Sequence, residues 1–195
     1  MKRTAHITRE TKETKIDLTI TIEGTGTSRI ATGIPFFDHM LEQLSRHSGV
    51  DIDLTAEGDL AVDTHHTVED VGIALGEAFA QALGDKRGIT RFADATVPLD
   101  EALVQVALDL SGRPYLAYNL QPTSEFIGTF DPQLAEEFWR AIATAGAWTL
   151  HVRELESKNA HHLIEASFKA VAQCLRRAMR VEHENGAIPS TKGAL

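Results

Sequence analysis

Histidine and glutamate form a repeated pattern in this chain of 195 residues. The string His-His-x-x-Glu occurs twice, as residues 65–69 and as residues 161–165. On a helix, residue i+4 shares a face with residue i, so each Glu lies beside the first His of its pair while the adjacent imidazoles diverge. Imidazole and carboxylate without thiolate suit manganese, iron, cobalt or zinc. The strings therefore predict a dinuclear metal site, or two similar sites, with ligands from both.

Chance does not explain the repeat. If the residues of this chain were placed in random order, about 0.03 such strings would be expected, whereas two occur. Helix capping by the pairs is an alternative, although a cation at a helix N-terminus opposes the macrodipole. His39 and His151 are placed where they could complete the metal shells, and a satisfied structural histidine is the other interpretation of each. His6 and His183 are assigned no role.

Composition limits the class of protein. The formal net charge is −9 and 43% of the residues are hydrophobic, which is ordinary for a globular chain. The acidic balance argues against a broad surface for nucleic acid or an anionic membrane. A single cysteine, Cys174, excludes an internal disulfide, and its apolar neighbours place it in a helix core. Together with the lack of a membrane-length apolar run, this predicts a cytoplasmic protein.

Hydrophobic periodicity predicts the elements that position the histidines. Alternation indicates strands at residues 16–22, 50–54, 102–110 and 148–152. Residues 28–32 are expected to return as the hairpin partner of the first strand, and residues 115–120 to pair with strand 102–110. Helical spacing predicts helices at 36–48, 63–84, 134–146 and 161–184.

The order strand, strand, helix, strand, helix thus occurs twice. We predict an α+β fold built from a duplicated half, each half a small, mainly antiparallel sheet with two helices on one face. The expected division is 1–87, 88–184 and a C-terminal tail, 185–195.

Cationic groups near turns offer a place for an anion. Arg91 and Arg113 each lie at a strand or turn boundary, where a lone arginine is usually a surface charge. The tail 189–195 offers hydroxyls, backbone amides and an ammonium group, which can bind phosphate, although most tails are frayed. An acidic protein with a metal site needs such local cations to hold an anionic substrate.

Several motifs, in order along nearly the whole chain, closely resemble the imidazoleglycerol-phosphate dehydratase family of histidine biosynthesis. Besides the two His-His-x-x-Glu strings, they are FFDHML at 36–41, VPLDEA at 97–102, SGRP at 111–114 and PSTKG at 189–193. The resemblance implies halves that are similar to the second domain of ribosomal protein S5. It also implies a homo-oligomer of 24 subunits with active sites at subunit contacts.

The resemblance further implies the activity and its residues. A hydro-lyase would convert D-erythro-imidazoleglycerol phosphate to imidazoleacetol phosphate, with two Mn(II) ions per active site. The implied ligands, three His and one Glu for each ion, are His39, His65, His66, Glu69, His151, His161, His162 and Glu165. The implied phosphate ligands are Arg91, Arg113, Ser190 and Lys192, with Gln43, His47 and Lys169 as weaker candidates. Glu13 matches the family's substrate-contacting glutamate.

The expected chemistry gives these groups a reason. Direct elimination has a high barrier, because the proton at C2 is not acidic and hydroxide is a poor leaving group. Metals on the substrate imidazole would favour an imidazolate, which could expel the C3 hydroxyl group and so become a diazafulvene. We hypothesise that Glu13 moves a proton while the cations anchor the phosphate. A dinuclear phosphate-ester hydrolase and a metal storage or delivery protein are the rival interpretations.

Overall fold

The computed structural model describes residues 2–182 and 186–195. These residues form eight strands and four helices. In chain order they are β1 (Thr4–Glu10), β2 (Thr14–Thr21), β3 (Ser28–Ala31), α1 (Pro35–Ser48), β4 (Asp51–Gly58), α2 (His65–Leu83), β5 (Phe92–Leu99), β6 (Ala102–Asp109), β7 (Tyr115–Asn119), α3 (Leu134–Ala145), β8 (Thr149–Glu156) and α4 (Ala160–Ala178).

Two four-stranded sheets share one topology. Their strand orders are β1-β2-β4-β3 and β5-β6-β8-β7, so each strand of the first half has a counterpart at the same place in the second. In both sheets the neighbours are antiparallel except for the last pair, β3–β4 or β7–β8, which is parallel. The predicted α+β fold with a duplicated half is confirmed, with three strands rather than two before the first helix of each half.

Two predicted strand pairings are wrong. Residues 28–32 do not return as a hairpin partner of β2, because β3 pairs parallel with β4, with Ile30 opposite Leu54. Residues 115–120 do not pair with β6, because β7 pairs parallel with β8, with Leu116 opposite Leu150. In each half a helix follows the short strand and returns the chain in the same direction, which gives a parallel neighbour.

Two whole strands and the end of one helix also differ from the prediction. Strands β1 and β5 were not expected, and each lies at a sheet edge with a single fully buried side chain, Ala5 or Ala95. Helix α4 ends at Ala178, short of the predicted limit, and Val181 instead bridges to Ile89. His183 and the predicted boundary at 184/185 lie outside the described residues. The boundary between 87 and 88 falls in the connection from α2 to β5 and stays a prediction.

Helix α1 carries its own start and stop signals. Pro35 occupies its first turn, where a missing N–H costs nothing. Gly49 ends it at φ 80°, a left-handed conformation that favours glycine, and its N–H donates to the Ser45 carbonyl over 3.0 Å. The buried face of α1 carries Phe37, Met40, Leu41 and Leu44. This fixes which face of α1 is left for His39.

The two halves join through their helices. Helix α1 packs on α4 and α2 packs on α3, while α2 also covers β1 and β2, and α4 covers β5 and β6. Gly72 and Gly76 bring α2 close to α3, since a Cβ at Gly76 would lie 2.7 Å from both the Ala145 Cβ and the Gly146 nitrogen. All the candidate metal ligands except His151, which lies on β8, thus lie on helices whose relative positions are fixed by a shared core.

Two smaller expectations concern the core and the membrane. Cys174 is buried on α4, as predicted, and burial raises the pKa of its thiol to about 12. Among the described residues no helix combines the length and the apolarity that a membrane crossing requires. The cytoplasmic location stays a prediction.

We expect Gly76→Ala to destabilise the fold by about 1–2 kcal/mol. The added methyl group has no room against α3, and this overpacking outweighs the higher helix propensity of alanine. Chemical denaturation of the purified variant measures the loss. Glu77→Ala, on the exposed side of the same turn, is the matched control and should change stability by less than about 0.5 kcal/mol. Equal stability of wild type and Gly76→Ala would contradict the tight α2–α3 contact.

Candidate active site

The strongest cluster of candidate ligands lies where α1 meets the start of α4. His39 projects from α1, and His161 and Glu165 from α4. The Nε2 atoms of His161 and His39 lie 3.0 Å and 3.3 Å from Glu165 Oε2. All three residues offer a ligand atom within 4.8 Å of the others. Because His39 comes from the first half and the other two come from the second, the packing of α1 on α4 builds this cluster.

The caps of α2 and α4 are supplied by other residues than the histidine pairs. The Asn159 side chain accepts hydrogen bonds from the backbone N–H groups of His161 and His162. Asp63 Oδ1 accepts one from the His65 N–H over 2.8 Å. The alternative that both pairs merely cap their helices is therefore wrong, since Asn and Asp do this work. The imidazoles are left to make other contacts.

Within each pair the two imidazoles diverge, as the helical spacing predicted. The rings of His65 and His66 lie at 85°, and those of His161 and His162 at 83°, with centroids 6.1 Å apart in both pairs. The first histidine of each pair faces its glutamate, and the His65 Nε2 to Glu69 Oε2 distance is 3.8 Å. Each second histidine must therefore find a different partner.

The partners of the second histidines are two carboxylates that the sequence analysis missed. His66 Nδ1 lies 3.0 Å from Asp59 Oδ2, and His162 Nδ1 lies 2.8 Å from Glu101 Oε2. These hydrogen bonds raise the pKa of both imidazoles, and the His162 contact lowers the pKa of Glu101 to about 2. Glu101 belongs to the VPLDEA motif at 97–102. Its position directly before the predicted strand at 102–110 is the sequence feature that could have indicated a site residue.

His151 lies apart from this cluster. It is half-buried on the outer face of the second sheet, opposite the buried side chains of Leu150 and Val152, as expected from its strand. Its ring centroid is 5.6 Å from that of Tyr115. In the described residues, the His39, His161 and Glu165 group is the one convergence of three possible ligands. The other implied ligands, which this chain does not gather with them, are His65, His66, Glu69, His151 and His162.

Glu13 lies in the turn between β1 and β2. Its N–H donates to Thr11 Oγ1 over 3.1 Å, and its carbonyl accepts from the Asp59 N–H over 3.0 Å, so the backbone of the turn is held. Its side chain is 53% exposed, with Oε2 at 3.9 Å from His66 Nδ1. The carboxylate is thus beside the start of α2 and open to a bound molecule.

One group of predicted phosphate ligands adjoins the cluster of His39, His161 and Glu165. Lys169 Nζ lies 2.6 Å from Glu165 Oε1, and His47 Nε2 lies 3.2 Å from Gln43 Oε1. Burial and the Lys169 charge lower the pKa of His47. Burial opposes ionisation of Glu165, but hydrogen bonds from Lys169, His161 and His39 hold its pKa below the ordinary value.

The other group surrounds the chain end. Arg91 is buried rather than a surface charge, and its guanidinium donates two hydrogen bonds to Asp109 and one to the Pro189 carbonyl. Arg113 is a surface charge, with its side chain 66% exposed. The Lys192 N–H donates to Ser190 Oγ over 3.2 Å. The structure brings the predicted phosphate ligands together as two groups, with Arg91 joining the tail to the second sheet.

The likeness to known proteins covers the whole of this arrangement. A model of the family "Imidazoleglycerol-phosphate dehydratase" matches residues 32–175. The chain belongs to this family. A relative named imidazoleglycerol-phosphate dehydratase, from Gluconacetobacter diazotrophicus, is 57% identical over 99% of this chain and 98% of its own length. The prediction of a hydro-lyase is confirmed with the family, and Glu13 and the tail, outside 32–175, lie within the span of the relative.

Solved imidazoleglycerol-phosphate dehydratases share the fold. The Staphylococcus aureus enzyme superposes with a TM-score of 0.84 at 35% identity, covering 91% of this chain and 99% of its own. The enzyme from Pyrococcus furiosus, in complex with (S)-C348, has a TM-score of 0.82 at 38% identity and covers 97% and 100%. The duplicated helix and sheet arrangement is therefore that of the family.

The Glu165 contacts predict a pH-dependent stability in protein freed of metal by EDTA. We expect Glu165→Gln to cost about 1–3 kcal/mol at pH 7, because buried hydrogen bonds to Lys169 and two imidazoles are lost. The pKa of Glu165 is lowered on folding, so its contribution is present above its ordinary pKa of 4.5. The difference should shrink as the pH falls through the lowered value.

Glu69→Gln is the matched control for this measurement, because Glu69 holds the equivalent position in α2 but is half-exposed. Its effect on chemical denaturation should be smaller. An equal loss at both positions, or a loss at Glu165→Gln that is unchanged at low pH, would contradict the contacts described.

Proposed function

We propose that this chain catalyses the dehydration of D-erythro-imidazoleglycerol phosphate to imidazoleacetol phosphate in histidine biosynthesis, with two Mn(II) ions per active site. Family membership supports the reaction. The observation that carries the proposal is the convergence of His39, His161 and Glu165, which come from distant parts of the chain. A hydrolase or a storage protein has no comparable support from the relatives.

The ligand types of this convergence fit manganese. Two imidazole nitrogens and a carboxylate oxygen form a set without thiolate, which suits Mn(II). The full set that would hold two ions, three His and one Glu for each, is His39, His65, His66, Glu69, His151, His161, His162 and Glu165. When bound, the ions supply Lewis acidity toward the nitrogens of the substrate imidazole.

In this proposal, a second copy of the chain supplies the metal ligands that one chain does not bring to the cluster. Three of the eight proposed ligands converge within one chain, while His65, Glu69, His66, His162 and His151 do not join them. Ligands from a neighbouring copy would complete each shell. This supports a homo-oligomer with active sites at subunit contacts, and the number of 24 subunits comes from the family resemblance.

The cations would hold the phosphate. Lys169 and His47 lie beside the metal cluster, whereas Arg91, Arg113, Ser190 and Lys192 lie around the tail. Arg91 is already fixed by Asp109, so its planar guanidinium keeps one orientation toward an incoming anion. These groups orient the substrate and take no part in proton transfer.

Glu13 is the proposed proton carrier. The reaction removes the proton from C2 and the hydroxyl group from C3. The hydroxyl group takes up a proton and leaves as water. The enol that is formed then takes up a proton on carbon to become the ketone. A carboxylate that is exposed, held by its backbone and adjacent to His66 can accept and return a proton in this sequence.

The most informative experiment is an assay of purified protein on imidazoleglycerol phosphate with Mn(II) and with EDTA. We expect an enolisable ketone, detected by its absorbance in alkali, that forms with Mn(II) and not after metal removal. Release of inorganic phosphate without the ketone would support the rival hydrolase. Tight binding of metal with neither product would support storage.

Glu13→Gln should lower kcat by about 100-fold or more, because the amide cannot accept the proton. Its Mn(II) content and KM should stay close to wild type, since Glu13 is not among the proposed metal or phosphate ligands. Steady-state kinetics and metal analysis separate these effects. Glu10→Gln, in the same hairpin and exposed, is the control. Unchanged turnover in Glu13→Gln would remove the proposed role.

A further inference from the structure

The two halves carry a glutamate at the same place. Glu13 is the last residue before β2, and Glu101 is the last residue before β6, and these strands are counterparts in the two sheets. Each glutamate therefore lies in the hairpin turn that faces the start of the helix bearing a histidine pair. A strict duplication would give both of them the same contacts. They do not have the same contacts.

In the second half, Glu101 is fully engaged. Its Oε2 accepts from His162 Nδ1 over 2.8 Å, and its Oε1 accepts from the backbone N–H groups of Lys158 and Asn159 over 3.3 Å and 2.8 Å. Both oxygens thus tie the β5–β6 turn to the first turn of α4. The side chain is 28% exposed. Glu101 fixes the ring of His162 and has no oxygen left without a hydrogen-bond donor.

In the first half, a longer connection changes the partner. Six residues separate β4 from α2, against three between β8 and α4, and the first of the six is Asp59. Its carboxylate lies 3.0 Å and 3.2 Å from His66 Nδ1, in the position that Glu101 takes toward His162. The Asp59 N–H also holds the Glu13 carbonyl. The Glu13 carboxylate stays 3.9 Å from the same nitrogen.

We propose that Asp59 and Glu101 are positioning residues for His66 and His162, and that Asp59 replaces Glu13 in this task so that Glu13 stays available. A carboxylate only accepts hydrogen bonds, so each of them places the proton of the neutral imidazole on Nδ1 and leaves the Nε2 lone pair for a ligand. The inference rests on the proposed function, in which these two histidines bind metal and Glu13 moves a proton.

The first test compares metal affinity. Asp59→Ala and Glu101→Ala should each lower the Mn(II) affinity of the assembled enzyme about 10–100-fold, as loss of an orienting carboxylate does elsewhere. Isothermal titration calorimetry on EDTA-stripped, dialysed enzyme measures it. Asp53→Ala, an exposed carboxylate on β4 that pairs with Arg29, is the control and should bind as wild type does. Wild-type affinity in both alanine variants would overturn the positioning role.

The second test separates Asp59 from Glu101 by turnover. Without Asp59, Glu13 can move onto His66 Nδ1, so at saturating Mn(II) the kcat of Asp59→Ala should be at least about 10-fold below that of Glu101→Ala. Adding Glu13→Gln to Asp59→Ala should then cost less than it costs in wild type, because the two residues act together. Equal kcat in the two alanine variants, with additive effects of Glu13→Gln, would overturn the exchange of roles.

Controls keep the outcome specific. Asp59→Asn and Glu101→Gln preserve side-chain volume and should weaken binding in the same direction if the alanine variants do not fold, with circular dichroism as the check. If the wild type binds Mn(II) and forms the ketone, and the variants bind Mn(II) with unaltered affinity, this inference is wrong while the proposed function stands. A wild type that binds Mn(II) without forming the ketone defeats the proposed function and leaves the affinity comparison interpretable.

Discussion

The packing of α1 on α4 is the contact on which the candidate site depends. It is a contact between the two halves, and it brings His39 of the first half to His161 and Glu165 of the second. The apolar face of α1 sets the rotation of this helix, and the close approach of α2 to α3 at Gly76 holds the other side of the same interface. The ligand cluster is therefore a consequence of how the duplicated halves join. Neither half could form it alone.

This junction also explains how a buried carboxylate is tolerated at the contact of α1 and α4. Glu165 is buried, and burying an unpaired charge is costly. Lys169 and two imidazoles surround it, so its oxygens are satisfied and its pKa is lowered despite burial. Binding of a metal requires neutral imidazoles, so it competes with protons for the same nitrogens. The hydrogen bonds from Lys169, His161 and His39 therefore offset the cost of burying Glu165.

Much of the fold and part of the site were predictable from local patterns. Strands with several buried alternating residues, such as Leu18 and Ile20, were found, whereas the edge strands β1 and β5 bury one residue each and left little signal. The parallel pairings depend on crossovers through helices, which a hairpin rule does not consider. Helical spacing predicted that Glu165 faces His161, but the contacts of Asp59 and Glu101 depend on loops that meet only in the folded chain.

The unequal partners of the histidine pairs show how a duplicated fold can make different contacts at equivalent positions. Two identical halves would hold each second histidine by the glutamate of the adjacent hairpin, and both glutamates would be occupied. A longer connection between β4 and α2 supplies another carboxylate, Asp59, to do this work in one half. The glutamate of that half is then exposed beside the site while its counterpart remains fixed. The longer connection between β4 and α2 thus goes together with a different carboxylate partner for the second histidine of each half.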